Sequence, residues 1–533
     1  MCGICGIVSS ENLSEGDFSL VSAMNDSMVH RGPDDSGQFR DSNVMLAMRR
    51  LSIIDVAGGK QPLTNEDGSI VLIANGEIYN YLELRDELKA RGHQFRTGSD
   101  CETIVHLYEE FGVESLAKLR GMFAFALWDK RSRQLFLARD RIGEKPLYLW
   151  QKAGRLIFAS ELRTLIKAMP RGLSLDTAGV DMYMHYQYVP EPMTIIRDVR
   201  KLQAGHFMLI NLTPWRVVSK RYWNIESVSP VTDSNPPQRI LQELQDVTSL
   251  TLRSDVPVGV ALSGGMDSNA IAALSAPKYK GELHAFTVGY EGRPECDERD
   301  KAKSIAKEFG LPFHEIEITT DGFVNSLPEL VNHCDDPIAD IAAYGYFSVM
   351  KEARKNNVPV MLTGFGGDEL FWGYPWVVEA MIENANKLSL LGDSPQARAR
   401  LAKELTFYER HYDFKTAEQT LPMLYTSSFM ADIPPKNSFK PFRIDEPYNS
   451  LPVRICRALF DTWLVSNCIA LGDRLSMASS VELRLPLLDY KLVELVMGLR
   501  KTYTTDYALG PKGWLREAVR NILPERIVNL RRQ

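Results

Sequence analysis

A polar stretch from Ser227 to Pro237, rich in Ser, Pro, Asp and Asn and without hydrophobic period, separates two halves of the chain that carry different periodicities. Before it, short β-type runs (Val44 to Met48, Ile70 to Ala74, Met122 to Leu127, Gln134 to Ala138, Leu156 to Ala159) are divided by turn residues, which predicts sheets with a few helices. After it, Val256 to Leu262, Leu283 to Val288, Phe313 to Ile318 and Val358 to Leu362 have the character of strands, with helical sequence between them, including Ser268 to Leu274 and Asp297 to Phe309. Strands alternating with helices predict a doubly wound, mostly parallel sheet, followed beyond residue 380 by a helical extension. The expected organisation is a two-domain α/β chain: 1–210, a linker over 211–237, and 238–533. The length of 533 residues accommodates this, since roughly 100–200 residues per domain leaves room for two to four.

Two helices of the first half are placed by their starts. Asn80 with Glu83, and Ser99 with Glu102, have capping-box spacing ahead of the apolar stripes Tyr81, Leu84, Leu88 and Ile104, Leu107, Tyr108, Phe111. The second box would put Asp100 in a first helical turn, beside free backbone amides.

Composition narrows the function. The chain carries 62 basic and 68 acidic side chains, a net charge of −6, with the signs interspersed; no basic stripe is available for a nucleic acid. No apolar run such as Met122 to Trp128 approaches the roughly 20 residues of a membrane span, and Met1-Cys2-Gly3 lacks a basic leader, so a cytoplasmic protein without a membrane partner is expected. The seven cysteines are odd in number and scattered, and are expected to be reduced. Cys2 and Cys5 form a C-x-x-C, but no second pair and no paired histidines follow at ligand spacing, so neither redox nor metal chemistry is expected of them.

Cys2 follows the initiator Met, and so small a residue normally permits Met removal. That would leave a thiol and a free α-amine on one residue, the amine serving as base for the sulfur. Alone, Cys2 would be read as a small buried apolar residue. It is accompanied by His30-Arg31-Gly32-Pro33-Asp34, Arg50-Leu51-Ser52-Ile53-Ile54-Asp55, Asn75-Gly76-Glu77-Ile78-Tyr79-Asn80 and Gly98-Ser99-Asp100. This set resembles the class II, N-terminal-nucleophile (Ntn) glutamine amidotransferase domain, and the resemblance implies an α/β/β/α sandwich with antiparallel sheets. It also implies that Cys2 attacks the glutamine amide, that the Asn75 side chain and the Gly76 N–H hold the oxyanion, that Arg50 pairs with the α-carboxylate and that Asp100 with Glu77 binds the ammonium end. Separately, Asn75-Gly76 is an ordinary turn dipeptide, Arg50 a surface charge and Asp100 a helix cap.

Ser263-Gly264-Gly265-Met266-Asp267-Ser268 lies between a predicted strand and a predicted helix, where glycine lets amides approach phosphate oxygens and the helix N-terminus favours negative charge. No Gly-Lys-Ser/Thr follows, so it is not a Walker loop. It resembles the pyrophosphate loop of ATP pyrophosphatases. Asp267, and Asp368 in Thr363-Gly364-Phe365-Gly366-Gly367-Asp368-Glu369, are placed to meet at the carboxyl edge of one sheet and to hold Mg²⁺ between protein and phosphate; each is otherwise a helix cap. On the family pattern, Thr363 and Gly364 join the loop in binding ATP, Val288-Gly289 and Leu262 face the adenine, and Lys512 lies near the phosphates; their plain alternatives are core packing and a solvated lysine.

The two constellations, with Asp473-Arg474-Leu475-Ser476-Met477 and Glu482-x-Arg484-x-Pro486-Leu487-Leu488-Asp489, resemble the glutamine-hydrolysing asparagine synthetase family over essentially the whole chain. That resemblance implies hydrolysis of glutamine, adenylation of a small carboxylate, aspartate first among them, and amide formation with release of AMP and pyrophosphate. An enclosed ammonia channel bordered by Gly121-Met122-Phe123-Ala124-Phe125 would follow, and a homodimer is left open. Phe365 stands where the best-known members carry Glu, and Asp335-Asp336-Pro337-Ile338-Ala339-Asp340 departs from their acceptor sequence. The alternatives are the same chemistry on a uronic-type sugar, and a catalytically silent regulatory or binding protein. The chain ends at Leu530-Arg531-Arg532-Gln533, a basic stretch past which relatives often continue.

Overall fold

The computed structural model describes residues 2–169, 173–392, 394–403, 405–407, 411–433 and 448–529. The first half contains β1 (Cys2–Ser9), β2 (Asp35–Arg40), β3 (Val44–Arg50), β4 (Leu63–Thr64), β5 (Ile70–Ile78), β6 (Gly121–Asp129), β7 (Gln134–Arg139), β8 (Tyr148–Lys152), β9 (Arg155–Ala159), β10 (Val199–Lys201), β11 (His206–Leu212) and β12 (Trp215–Arg221). They form two sheets, β10-β8-β9-β1-β3-β2 and β12-β11-β7-β6-β5-β4, with antiparallel pairing throughout, including β1 against β3 and β5 against β6.

Period-2 alternation gives each sheet two faces. Ile4, Val8, Leu46 and Met48 of the first sheet meet Val71, Ile73, Ala124 and Leu137 of the second in one core. The opposite faces are covered by helices: Val21 and Met24 of the helix Glu15–Asp26 pack with Cys5, Ile7 and Met45, and Leu84, Leu88, Ile104 and Leu107 pack with Leu72, Phe123 and Phe125. The result is the four-layer α/β/β/α sandwich. With both faces of β5 and β6 covered, their polar residues are buried by the architecture itself.

Neither expected capping box forms. Asn80 makes no side-chain cap bond, and Glu83 instead pairs with Arg253 of the second half at 2.6 and 2.7 Å. The next helix begins only at Glu102, whose carboxylate turns back to accept from the Arg96 and Thr97 amides and the Thr97 hydroxyl, leaving Asp100 ahead of the helix. In both cases a charge-assisted partner or a set of loop donors outcompetes a single cap amide. The second sheet also reaches into the span expected as linker, because β12 pairs along its length with β11. Its half-exposed edge sequence, with charged residues at Arg216, Lys220 and Arg221, hid that strand.

The second half contains β13 (Val258–Ala261), β14 (His284–Tyr290), β15 (Phe313–Ile318), β16 (Val360–Leu362) and β17 (Glu482–Arg484), all parallel in the order β15-β14-β13-β16-β17. The winding direction reverses between β13 and β16, and ligands of such sheets bind outside the carboxyl ends at that point. The continuous helical run Leu451–Ala478 is long and apolar enough to cross a membrane by composition, but 78% of its most apolar window is buried inside the fold, which makes it a core helix. Ion pairs join the halves: the buried Arg31 to Asp473 at 2.9 Å and Lys201 to Asp336 at 2.7 Å, and the part-buried Arg120 to Asp489 at 2.8 Å.

Candidate active site

Cys2 opens β1 opposite Arg50 of β3, and the facing sheet brings β5 beneath it. The Cys2 nitrogen donates to Asn75 Oδ1 at 2.9 Å. Asn75 is wholly buried, and among the described residues its Nδ2 has no hydrogen-bond partner. A buried donor left unmade costs about 1–3 kcal/mol, and here it lies beside the sulfur where an oxyanion would need it. Gly76 is required sterically: a Cβ would sit 2.2 Å from the Met122 carbonyl oxygen of β6.

Arg50 is buried and donates to the carbonyls of Ile54 at 2.9 Å, Asp55 at 2.8 Å and Val56 at 3.3 Å, which fixes the guanidinium over the site. The Asp55 carboxylate in turn accepts from Gly98 N at 2.7 Å and ties down the loop that leads to Asp100. Asp100 accepts from Ile78 N at 2.7 Å. Glu77 lies 3.3 Å from Arg484, which β17 delivers from the second half. Burial, then the neighbouring Asp100 and Glu482 carboxylates, push the Glu77 carboxyl well above its ordinary range, and burial raises Asp100 as well. Two such acids favour an incoming cation. Burial also pushes the Cys2 thiol up, so sulfur needs a base to act at neutral pH. Cys5, three residues along an extended strand, faces the helix-side core while Cys2 faces the inter-sheet core; the C-x-x-C cannot share a ligand or close a bond.

In the second half, Ser263, Gly264 and Gly265 follow β13 and lead into the helix Met266–Ser275, whose N-terminus has no side-chain cap. Ser263 Oγ contacts Ser268 Oγ at 2.9 Å and accepts from Gly265 N at 3.1 Å. Gly264 N donates to the Glu298 carboxylate at 2.9 Å, so this amide already holds an anionic oxygen. Thr363 and Gly364 follow β16 on the other side of the switch point, and a Cβ on Gly364 would lie 2.7 Å from Ser268 N. The two loops are therefore in direct backbone contact. Lys512 joins them: its Nζ pairs with the Asp267 carboxylate and lies 2.8 Å from Asp368. Burial alone would lower the Lys512 ammonium, but Asp267 and Asp368 outweigh it and hold the group above its ordinary value. Leu262 is buried and donates its N–H to Phe286 O. Val288 and Gly289 lie on neighbouring β14, yet a Cβ on Gly289 would fall 1.7 Å from Arg299 Nε: the bare glycine face makes room for that side chain.

Residues 1–223 match the family model of a glutamine amidotransferase domain, and residues 239–533 that of asparagine synthase. The glutamine-hydrolyzing asparagine synthetase 1 of Bacillus subtilis is 34% identical over 99% of this chain and 86% of its own length. A putative asparagine synthetase of Mycobacterium tuberculosis is 35% identical with the same coverage of both chains. A second Bacillus subtilis enzyme, asparagine synthetase 2, is 33% identical over 98% of this chain and 70% of its own. The chain belongs to the asparagine synthase family. It is thereby a glutamine-dependent amidotransferase of the carbon–nitrogen ligase class, and the family uses ATP as substrate.

Within this asparagine synthase fold, the departures are localised. The Phe365 ring packs edge-on against Tyr346 at 5.0 Å and over Gly472. Asp335 accepts from the Leu162 and Arg163 amides and Asp336 from Ile195 N, so both face the glutaminase half; Asp340, bonded to Asn467 at 3.1 Å, stays in the synthetase half. Close to Phe365 in sequence, Glu369 is buried, accepts from the Tyr374 hydroxyl at 2.8 Å, and is pushed up to about 7 by burial.

Four residues escaped prediction. Arg31 donates to the Cys2 carbonyl at 3.1 Å and pairs with Asp473. Arg484 reaches Glu77, Glu298 covers Gly264, and Glu369 is the acid described above. For Arg31 and Arg484 a signal existed, since both lie inside the motifs that carried the resemblance; for Glu298 there was none.

Proposed function

We propose that the chain hydrolyses glutamine to glutamate and ammonia at Cys2, and that ammonia then amidates an aspartate-type carboxylate adenylated by ATP, with release of AMP and pyrophosphate. The observation that carries this reading is the Asn75 Nδ2 beside Cys2, buried without a partner among the described residues, in one chain with a glycine loop at the switch point of a parallel sheet. With Met1 removed, the Cys2 nitrogen becomes an α-amine that takes the thiol proton. Sulfur attacks the amide carbon, Asn75 Nδ2 and the Gly76 N–H hold the oxyanion, Arg50 holds the α-carboxylate, and Asp100 with Glu77 the ammonium. The C–N bond breaks as the α-amine returns the proton to the departing ammonia, and water then cleaves the thioester.

In the synthetase half, Leu262, Ser263, Gly264, Gly265, Ser268, Val288, Gly289, Thr363 and Gly364 form the ATP site. Asp267 and Asp368, converging on one Lys512 ammonium, are a hard oxygen donor pair that fits Mg²⁺. Such an ion would neutralise phosphate charge. Lys512 offsets negative charge as a carboxylate oxygen of the acceptor attacks the α-phosphorus and pyrophosphate leaves. Ammonia then attacks the acyl carbon, the C–O bond to AMP breaks, and the nitrogen loses a proton. A phenyl ring at 365 cannot take it; Glu369 is the nearby carboxylate poised to do so. Between the halves lies a small cavity walled by both apolar (Ile142, Leu485, Leu488) and charged (Asp140, Arg141, Glu144) side chains, and ammonia passage is assigned to it, with Leu488 also packed against Gly366. All seven thiols are unpaired, which suits a reducing, cytoplasmic setting.

A second reading changes only the acceptor: the aromatic faces of Phe365, Tyr346 and Tyr374 suit a ring-shaped acid such as a uronic-type sugar. Incubation with glutamine, ATP and Mg²⁺ and a panel of carboxylates, followed for AMP and pyrophosphate, decides between them. Stimulation by aspartate supports the first; no response to aspartate with a response to a uronate establishes the second. If Cys2→Ala leaves glutamate formation unchanged, both enzyme readings fail.

A further inference from the structure

A cluster away from both nucleotide and glutamine chemistry has the geometry of a metal centre. Glu66 lies in the turn between β4 and β5, His93 follows the helix Tyr81–Ala90, and His106 and Glu109 stand one turn apart on the helix Glu102–Phe111. His106 Nδ1 lies 3.1 Å from Glu109 Oε2 and 3.6 Å from Glu66 Oε2, and His93 Nδ1 lies 3.5 Å from Glu66 Oε1 and 3.6 Å from Glu109 Oε2. Bonds of about 2.0–2.1 Å to a tetrahedral zinc ion put neighbouring ligand atoms about 3.3 Å apart; the imidazole-to-carboxylate distances bracket that value, and one ligand atom from each of the four residues lies within 4.8 Å of the others, close enough to contract onto one ion. We propose that Glu66, His93, His106 and Glu109 bind one divalent transition cation of the zinc type.

The surroundings carry the proposal beyond the four ligand atoms. Metal-bound imidazoles characteristically hydrogen-bond a carboxylate through their second nitrogen; His93 Nε2 does so with Glu110 at 3.1 Å, while His106 Nε2 faces Glu102 at 3.7 Å, beyond hydrogen-bond range. The ligand carboxylates are also oriented, Glu109 Oε1 by Asn65 Nδ2 at 2.7 Å and Glu66 Oε1 by the Gln94 amide at 2.9 Å. His106 is fully buried and the His93 side chain is 12% exposed, so these imidazoles are held in place by packing. Two nitrogens with two carboxylates select a borderline ion over Mg²⁺ or Ca²⁺. The ion would clasp the β4–β5 turn, the segment after one helix and the body of the next. That second helix begins two residues after Asp100, so the clasp braces the wall of the glutamine pocket.

The rival arrangement is two imidazoles held among the surrounding glutamates by hydrogen bonds and packing, with no metal. Tag-free full-length protein, stripped with a chelator and titrated with Co²⁺, separates them. One tetrahedral Co²⁺ per chain, displaced by Zn²⁺, with a melting temperature raised by Zn²⁺, is expected. His93→Gln and, independently, Glu66→Gln should each weaken Co²⁺ binding by at least about 10-fold, the loss seen even for outer-shell changes. Both positions are part-exposed, so these variants are expected to fold. No stoichiometric binding, sulfur-to-cobalt charge transfer assigning the ion to thiols, or unchanged affinity in both variants would overturn the proposal.

Discussion

Replacing Asn75 tests the glutaminase half at its most informative atom. Asn75 Oδ1 accepts from the Cys2 nitrogen, while Nδ2 is buried without a partner among the described residues. Loss of one oxyanion donor costs about 10²–10³ in kcat, or roughly 2.7–4 kcal/mol. Asn75→Ala removes donor and acceptor together, and the stranded Cys2 N–H adds about 1–3 kcal/mol of destabilisation. Asn75→Asp keeps an acceptor at the same place and deletes only the donor. Both variants should therefore lose glutaminase kcat by that factor, with Asn75→Ala alone melting clearly lower. KM for glutamine should hold, because Arg50 is fixed by the Ile54, Asp55 and Val56 carbonyls and Asp100 by Ile78 N, none of which involve Asn75. The assay is glutamate release, with AMP formation from ammonium salts run in parallel to show that the second half is intact. An Asn75→Asp variant within a few-fold of the parent kcat would refute the assignment, as would an equal loss of ammonia-driven AMP formation.

Cys2→Ala should abolish glutamate release and leave ammonia-driven AMP formation in place, and retention of the initiator Met should have the same effect; amino-terminal mass spectrometry of active material checks the latter. Lys512→Met leaves Asp267 and Asp368 facing each other without their shared cation, and pyrophosphate release should drop by about 10² or more while glutaminase activity persists. Glu369, pushed up to about 7 by burial, gains its basic form as pH rises through that value, so glutamine-driven amide formation should climb across pH 7 and Glu369→Gln should lose that inflection. The sign for stability is opposite: the fold retains a proton that the unfolded chain releases above 4.5, so this contribution is complete below 4.5 and is lost as pH rises through about 7, which urea midpoints of parent and Glu369→Gln would reveal. Arg484→Met strips the charge that faces both Glu77 and Glu482 in the interior, at a cost of about 3–5 kcal/mol, and should lower the ratio of glutamine- to ammonia-driven synthesis; an unchanged ratio would show that the contact serves packing alone.

What the amino-acid sequence discloses follows the range of the forces involved. Periodicity is local, and the strands Ile70–Ile78, Phe313–Ile318 and Val360–Leu362 and the parallel sheet all lie where the apolar pattern puts them. Cys2, Asn75, Asp267 and Lys512 were singled out by motifs that carry the family resemblance, and in the fold Cys2 meets Asn75 and Asp267 meets Lys512. Contacts of charges that lie outside those motifs left no local signal. Glu83 has capping-box spacing, yet it is claimed by Arg253, 170 positions away. His93 and His106 have no local ligand spacing and converge only because one helix docks beside the turn that carries Glu66. Strand β12 was missed for a different reason: an edge with one solvated face has little apolar pattern to show.

The same distinction explains why the two halves work as one enzyme. Arg484 is wholly buried, and its three sets of partners come from both domains: Glu77 in the glutamine site, Glu482 on its own strand, and the Thr251 and Arg253 carbonyls. Its own carbonyl accepts from Thr363 N, the first residue of the loop that meets the Ser263–Ser268 turn, the proposed ATP site. On the proposed placement of glutamine, its ammonium would approach Glu77 and Asp100, two acids whose charged forms burial disfavours, and would stabilise those carboxylates in their ionised state. The field at Arg484 would change with them, on a residue whose backbone is hydrogen-bonded to Thr363 of the proposed nucleotide loop. Under that proposal Arg484 and the strand it ends are a candidate route for coupling, and the ratio of glutamine- to ammonia-driven synthesis in Arg484→Met is the measurement that tests it.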